Sequence, residues 1–162
     1  MHTKIDYKTL PDLVLKNQGE WIQFFKKNRK KMEASDLKIH AIHQRISDKT
    51  NCLECGNCCR SLGPRITDKD VEKLAKALRM KAVDFIANYL KVDEDEDMVF
   101  KSMPCPFLGA DNYCAVYENR PKACREYPHT DRKKFYQIYN LSVQNASTCP
   151  IVYEVLEEIK KI

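Results

Sequence analysis

The chain has 162 residues, 43% of them hydrophobic and 31% charged, with a formal net charge of +5. That length fits one domain with one core, and so mild a basic excess is no argument for nucleic acid. The four glycines form neither GxGxxG nor a Walker pattern, which excludes a self-contained Rossmann or P-loop nucleotide domain.

The N-terminal residues Met1–Tyr7 contain no apolar h-region and no small-residue cleavage site, so no secretory signal is expected. No apolar run approaches the roughly 18 residues of a membrane span. A cytoplasmic location follows as the expectation.

Residues 12–50 contain no proline and carry a stripe of Trp21, Phe25, Met32, Ile39, Ile42 and Ile46, if Asn28 and Ser35 fill its gaps. Steps alternating between four and three keep one helical face turned to a partner. The spacing predicts one long helix, or two in line, with the basic block Lys26–Lys31 on its solvated outer faces. After the cysteine segment 52–59, Gly63-Pro64 reads as a turn. Thr67 reads as the N-cap of a short helix, with Asp70 three residues on and Val71, Leu74 and Leu78 as its apolar stripe. A second short helix is expected near Ala82–Leu90, with Phe85, Ile86 and Leu90 inward. The acidic run Asp93–Asp97 would repel phosphates, which makes nucleic acid an unlikely ligand for this helix pair. The run reads as a solvated loop that lacks the glycine and terminal glutamate of a calcium site. Residues 98–103 and 113–117 are expected to pair as a short hairpin around Gly109-Ala110-Asp111-Asn112. Pro121 opens a short helix carrying Cys124. The aromatic stretch 135–141 fits helix or strand. Thr148 and Pro150 start a last helix, with Ile151, Val155, Leu156 and Ile159 on its apolar side.

The expected fold class is therefore mainly α with a short β-hairpin. It is a small single domain, 1–162, organised around a cysteine-rich metal centre. The metal-binding region is 50–130, between an N-terminal helical extension and a C-terminal helix.

Of the eight cysteines, four fall in Cys52-Leu53-Glu54-Cys55-Gly56-Asn57-Cys58-Cys59. A C-x2-C turn brings two sulfurs to one side, and here it occurs twice in series, with Gly56 permitting a tight left-handed backbone. Cys105, Cys114, Cys124 and Cys149 follow singly. Disulfides belong to oxidising compartments, and Cys58 and Cys59 cannot bridge each other without strain. Scattered buried thiols do not account for the clustering, although for Cys149 that reading is a serious rival. Metal ligation does account for it. The candidate ligands are Cys52, Cys55, Cys58, Cys59, Cys105, Cys114, Cys124 and Cys149, with Cys59 and Cys149 ranked below the others because vicinal side chains diverge and Cys149 stands alone. Paired C-x2-C elements suit tetrahedral zinc, and three cysteines at ferredoxin-like spacing suit an iron–sulfur cluster with a distant fourth ligand. Arg60, Arg65, Arg120, Lys122 and Arg125 lie beside cysteines in sequence and are placed to offset thiolate charge. His40 and His43 sit three apart without a carboxylate at metalloprotease spacing, and His129 is a spare ligand at most. Tyr117 and Tyr127 flank the cysteines, where a lid over the sulfurs and ordinary packing fit equally well.

These residues resemble the zinc- or iron-chelating CxxCxxCC cysteine-cluster family. The resemblance rests on Cys52–Cys59 and on Cys105-Pro106-Phe107-Leu108 followed by Cys114-Ala115-Val116-Tyr117-Glu118-Asn119-Arg120-Pro121-Lys122-Ala123-Cys124-Arg125-Glu126-Tyr127-Pro128. It covers about residues 50–130, including the helical pair that begins Thr67-Asp68. It implies bound zinc or an iron–sulfur cluster. A flagellin lysine methylase is similar over its cysteine region, which brings in metal-dependent methyl transfer, although no separate S-adenosylmethionine domain is visible.

The leading expectation is a metal-binding protein. The alternatives are a metal-dependent enzyme, redox or lysine methyl-transferring, and a metal-stabilised interaction module whose basic helix meets an acidic partner or RNA.

Overall fold

A computed structural model describes residues 5–162. Met1–Lys4, part of the stretch read for a signal, lie outside the described residues. In chain order the helices are α1 (Leu10–Glu33), α2 (Asp36–Ser47), α3 (Cys52–Cys55), α4 (Asn57–Ser61), α5 (Asp68–Ala77), α6 (Ala82–Tyr89), α7 (Lys122–Glu126), α8 (Tyr139–Asn145) and α9 (Pro150–Ile159). Between α6 and α7 lie strands β1 (Leu90–Val92) and β2 (Met98–Phe100). The expectation of a mainly helical chain with one short hairpin holds. By its internal contacts the chain forms two compact units, Met1–Cys52 with Pro128–Ile162, and Leu53–Tyr127.

The first unit is a helical bundle of α1, α2, α8 and α9. Its long N-terminal stretch is two helices, and both polar residues in the apolar stripe mark departures from regularity. Asn28 leaves helical geometry (φ −115°, ψ 20°), and its carboxamide donates to the Phe24 carbonyl at 2.9 Å. Ser35 precedes α2, and its hydroxyl donates to the Lys31 carbonyl at 2.6 Å. A short polar side chain that bonds the preceding turn competes with the helical ladder. Trp21, Met32, Ile39 and Ile46 are buried as the stripe requires, while Phe25 and Ile42 are half-buried. Trp21 donates through Nε1 to Glu157 at 2.7 Å, and its carbonyl accepts from the Tyr139 hydroxyl at 3.1 Å. Phe25 stacks on Tyr139 with ring centroids 4.2 Å apart. The stretch 135–141 is helical, a 3-10 turn running into α8. Ile151, Val155, Leu156 and Ile159 are buried along α9 as expected. Lys26, Lys27, Arg29, Lys30 and Lys31 are exposed.

His40 and His43 grip the chain that returns after the second unit. His43 Nδ1 lies 2.6 Å from the Thr130 hydroxyl, and His40 Nε2 lies 3.1 Å from the Arg132 carbonyl. These are internal fastenings, so the histidine pair has its partners in the fold.

In the second unit Thr67 caps α5 through a full capping box with Asp70. The core joins Ile66, Val71, Leu74, Phe85, Leu90, Phe100, Phe107 and Val116. Phe85, Phe100 and Phe107 meet edge-on or stacked within 6.4 Å. The unit is thus packed by an aromatic–aliphatic core, with Cys105 and Cys114 against its edge. A metal centre around which the fold is organised is not shown.

Three local expectations need correction. The hairpin forms between β1 and β2, pairing Leu90 with Phe100, Lys91 with Val99 and Val92 with Met98. Residues 98–100 therefore pair backwards, and 113–117 contributes only an isolated Leu108–Cys114 bridge. The acidic run supplies the turn: Asp93 Oδ1 accepts from the amides of Asp95 and Asp97, both at 3.0 Å, and Glu96 takes φ +62°. An Asp side chain that satisfies its own loop makes a tight turn where composition alone reads as solvated coil. Ile86, expected inward, is 40% exposed. Residues 62–67 run irregularly, with no turn at Gly63-Pro64.

Among the described residues no helix is long and apolar enough to cross a membrane.

Candidate metal centre

The first cysteine loop is two helical turns hinged at one glycine. α3 ends at Cys55, Gly56 takes the left-handed conformation (φ +54°), and α4 carries Cys58 and Cys59. A Cβ at Gly56 would lie 2.9 Å from both the Arg60 guanidinium and the Asn112 carboxamide oxygen, so backbone and space both require glycine there.

The second cysteine segment reaches this loop through the backbone. The Cys105 amide donates to the Cys59 carbonyl at 2.8 Å. From Cys105 the chain turns, with the Leu108 amide donating to the Cys105 carbonyl at 3.0 Å, and returns through the Leu108–Cys114 bridge. α7 then brings Cys124, and Asp70 holds the start of that helix by accepting from the Lys122 amide at 2.9 Å.

The thiols differ in their electrostatic setting. Burial pushes Cys124 up to about 12, and negative charge on Cys105, Cys59 and Cys114 adds to the shift. Burial also raises Cys105, opposed by the Phe107 amide and reinforced by Cys59 and Cys114. Cys114 is raised by burial, opposed by the Val116 amide and Arg120, and reinforced by Cys59. Cys59 goes the other way, down to about 6. A hydrogen bond with the Cys58 thiol is the main cause, burial opposes it, and Arg120 and Arg60 assist. The Cys58 and Cys59 sulfurs are 4.0 Å apart.

The charge of Cys59 thus acts on Cys105, Cys114 and Cys124, and its sulfur is in contact with that of Cys58. Cys59, ranked low on sequence because it follows Cys58, is the loop cysteine whose charge all three others feel. Cys55 is half-buried in α3, Cys52 opens that helix exposed, and Cys149 is buried at the N-cap of α9 in the first unit. All eight cysteines are free of disulfides.

Of the basic residues expected near sulfur, Arg60 and Arg120 act on Cys59. Arg120 lies 3.6 Å over the exposed Tyr117 ring. Arg65 instead pairs with Asp97 at 2.8 Å. Sequence reasoning missed Asn112, a half-buried residue in the turn before Cys114. Its only signal was the turn composition Gly109–Asn112.

Among the described residues no group of three or more His, Cys, Asp or Glu side chains is arranged to hold a metal ion. The donors nevertheless fit one chemically. Soft thiolates suit zinc and iron. The Cys105 and Cys114 sulfurs meet backbone amides, of Phe107 and Val116, that favour the anionic form a metal needs. A cation would also offset the negative charge that Cys59 imposes on Cys105, Cys114 and Cys124.

No curated protein and no solved structure matches the chain. A family model does match, over residues 51–150: CxxCxxCC, a putative zinc- or iron-chelating domain. That match covers more than half of the chain and runs from the first cysteine loop past Cys149, and by it the protein belongs to the CxxCxxCC family, whose metal is zinc or iron.

Proposed function

We propose that this protein chelates its metal as a thiolate-bound zinc ion or iron–sulfur cluster in the second unit, with Cys59, Cys105, Cys114 and Cys124 as the inner donor set. Of the other candidates, Cys55 and Cys58 belong to the same unit, and Cys52 and Cys149 to the first. The observation that carries this reading is the 2.8 Å bond from the Cys105 amide to the Cys59 carbonyl, which ties the two halves of the family motif together at their cysteines. Burial of Cys105, Cys114 and Cys124, and the negative charge that Cys59 adds at each, support it.

The metal's role is structural in the first instance. A structural zinc ion contributes an apparent binding energy of roughly 10–16 kcal/mol, comparable to the whole stability of a domain, about 5–15 kcal/mol. Bridging Cys59, Cys105, Cys114 and Cys124 would cross-link α4, the 105–114 turn and α7.

The test is an optical spectrum with sulfide and metal assays on protein purified without air. Brown protein with labile sulfide identifies the iron–sulfur form, and colourless protein with one or two zinc ions the zinc form. Protein that carries neither metal, and takes up neither on reconstitution, removes the proposal.

A further inference from the structure

The first cysteine loop is held by a residue that is itself no metal ligand. The Asn112 carboxamide nitrogen donates to the Leu53 carbonyl at 2.6 Å, inside the first C-x2-C turn. Its oxygen accepts from the Arg60 guanidinium, and the same guanidinium donates to the Cys55 carbonyl at 2.6 Å. One side chain in the turn before Cys114 thus grips the loop at Leu53 directly and at Cys55 through Arg60. Both contacts fall just before the left-handed Gly56, the residue at which a Cβ would strike both Arg60 and Asn112.

Asn112 is suited to this place for two reasons. Its backbone lies at φ +63°, which asparagine tolerates better than most residues. Its amide also closes the turn by donating to the Gly109 carbonyl at 3.0 Å, which fixes the direction in which the carboxamide leaves the chain.

Resting on the reading that the cysteines bind metal, we propose that Asn112 is a positioning residue of the metal centre: the Asn112–Arg60 clamp sets the Leu53–Cys59 loop against the Cys105–Cys114 turn, so that less rearrangement brings the sulfurs of both to one ion. A loop held in place before binding loses less freedom when it ligates, and the saving appears as affinity.

Asn112→Gly tests this directly, because glycine keeps the left-handed backbone and removes only the clamp. Zinc affinity by competition against a chromophoric chelator, and the charge-transfer spectrum of the cobalt-substituted protein, are compared between wild type and variant under reducing conditions. Zinc binding is expected to weaken about 10–100-fold, the range for groups that orient metal ligands, and the cobalt spectrum to shift. Asn112→Asp keeps the oxygen that faces Arg60 and loses the donor to Leu53, so its affinity should lie between the two. Zinc affinity of Asn112→Gly within twofold of wild type, with an unchanged cobalt spectrum, overturns the clamp and leaves the metal reading intact. Wild-type protein that binds neither zinc nor cobalt, and takes up no iron–sulfur cluster on anaerobic reconstitution, overturns the metal reading itself. If Asn112→Gly does not fold, Asn112→Asp decides: wild-type affinity overturns the proposal, and reduced affinity with unchanged helicity supports it.

Discussion

The carboxylate of Asp70 accepts the backbone amide of Lys122 at 2.9 Å, fastening the first turn of α5 to the helix that carries Cys124. Asp70 is 4% exposed, and its other oxygen accepts from the Thr67 amide and hydroxyl at 3.0 and 2.7 Å. One carboxylate therefore caps a helix and docks a cysteine-bearing segment.

Thr67→Ala should cost about 1 kcal/mol, the ordinary worth of an N-cap. Asp70→Ala should cost more, about 2–3 kcal/mol, because it also strips a charged acceptor from the part-buried Lys122 amide. Urea unfolding of the two variants checks the difference, and equal losses would show that the Lys122 bond contributes nothing. Burial works to raise the Asp70 carboxyl, but the Thr67 bonds, the Lys122 amide and Arg125 outweigh it and hold it below its usual 3.8. Its stabilisation is thus present above that pH and is lost as pH falls through the folded value. Asp70→Asn should flatten the acid limb of the stability profile.

His43 titrates in the opposite setting. Burial lowers it from 6.5, Asp131 opposes, His40 reinforces and Asp48 opposes. The unfolded chain accepts the proton more readily, so stability is full above about pH 6.5 and declines as pH drops from there through the folded value. The proton NMR titration of His43 should show a midpoint below 6.5, and a midpoint at or above it would contradict this packing.

Two glycines give opposite expectations for the same substitution. Gly19 lies inside α1 with open space at its Cβ position, so Gly19→Ala should stabilise by about 0.5–1 kcal/mol. Gly56→Ala forces a side chain into a left-handed residue and against Arg60 and Asn112, and should cost about 1–2 kcal/mol from the backbone alone. Thermal melting of both variants checks the signs.

Trp21 is fully buried and hydrogen-bonded at both its indole and its carbonyl. Trp21→Ala should cost about 3–5 kcal/mol, the range for large aromatic truncations. A loss below 1 kcal/mol in urea unfolding would show that α1 and α9 do not depend on it.

Much of this was legible in the sequence because local chemistry decided it. The Thr67–Asp70 cap, the αL Gly56, the α9 apolar face and the solvated Lys26–Lys31 block each follow from residues a few positions apart. What was not legible depended on partners far along the chain. Turn residues between 98–103 and 113–117 favour a hairpin there, yet Asp93 folds the acidic run into a tighter turn and 98–100 pairs with β1. Ser35 and Asn28 passed as fillers of a helical stripe, since periodicity does not register a side chain that bonds its own preceding turn. The cysteine spacing indicated metal chelation, but vicinal divergence made Cys59 look peripheral. Yet its charge acts on Cys105, Cys114 and Cys124, and its carbonyl accepts from the amide of a residue 46 positions away. The turn composition around Asn112 does not reveal its role, which exists only once two distant loops meet.

The most direct test of the central claim is the metal retained per chain after anaerobic purification, in the wild type and in the serine variants of Cys59, Cys105, Cys114 and Cys124. The account predicts zinc or iron near whole-number stoichiometry in the wild type, reduced by each of the four substitutions. Folded wild-type protein that holds no metal, or variants that retain all of it, would contradict the account.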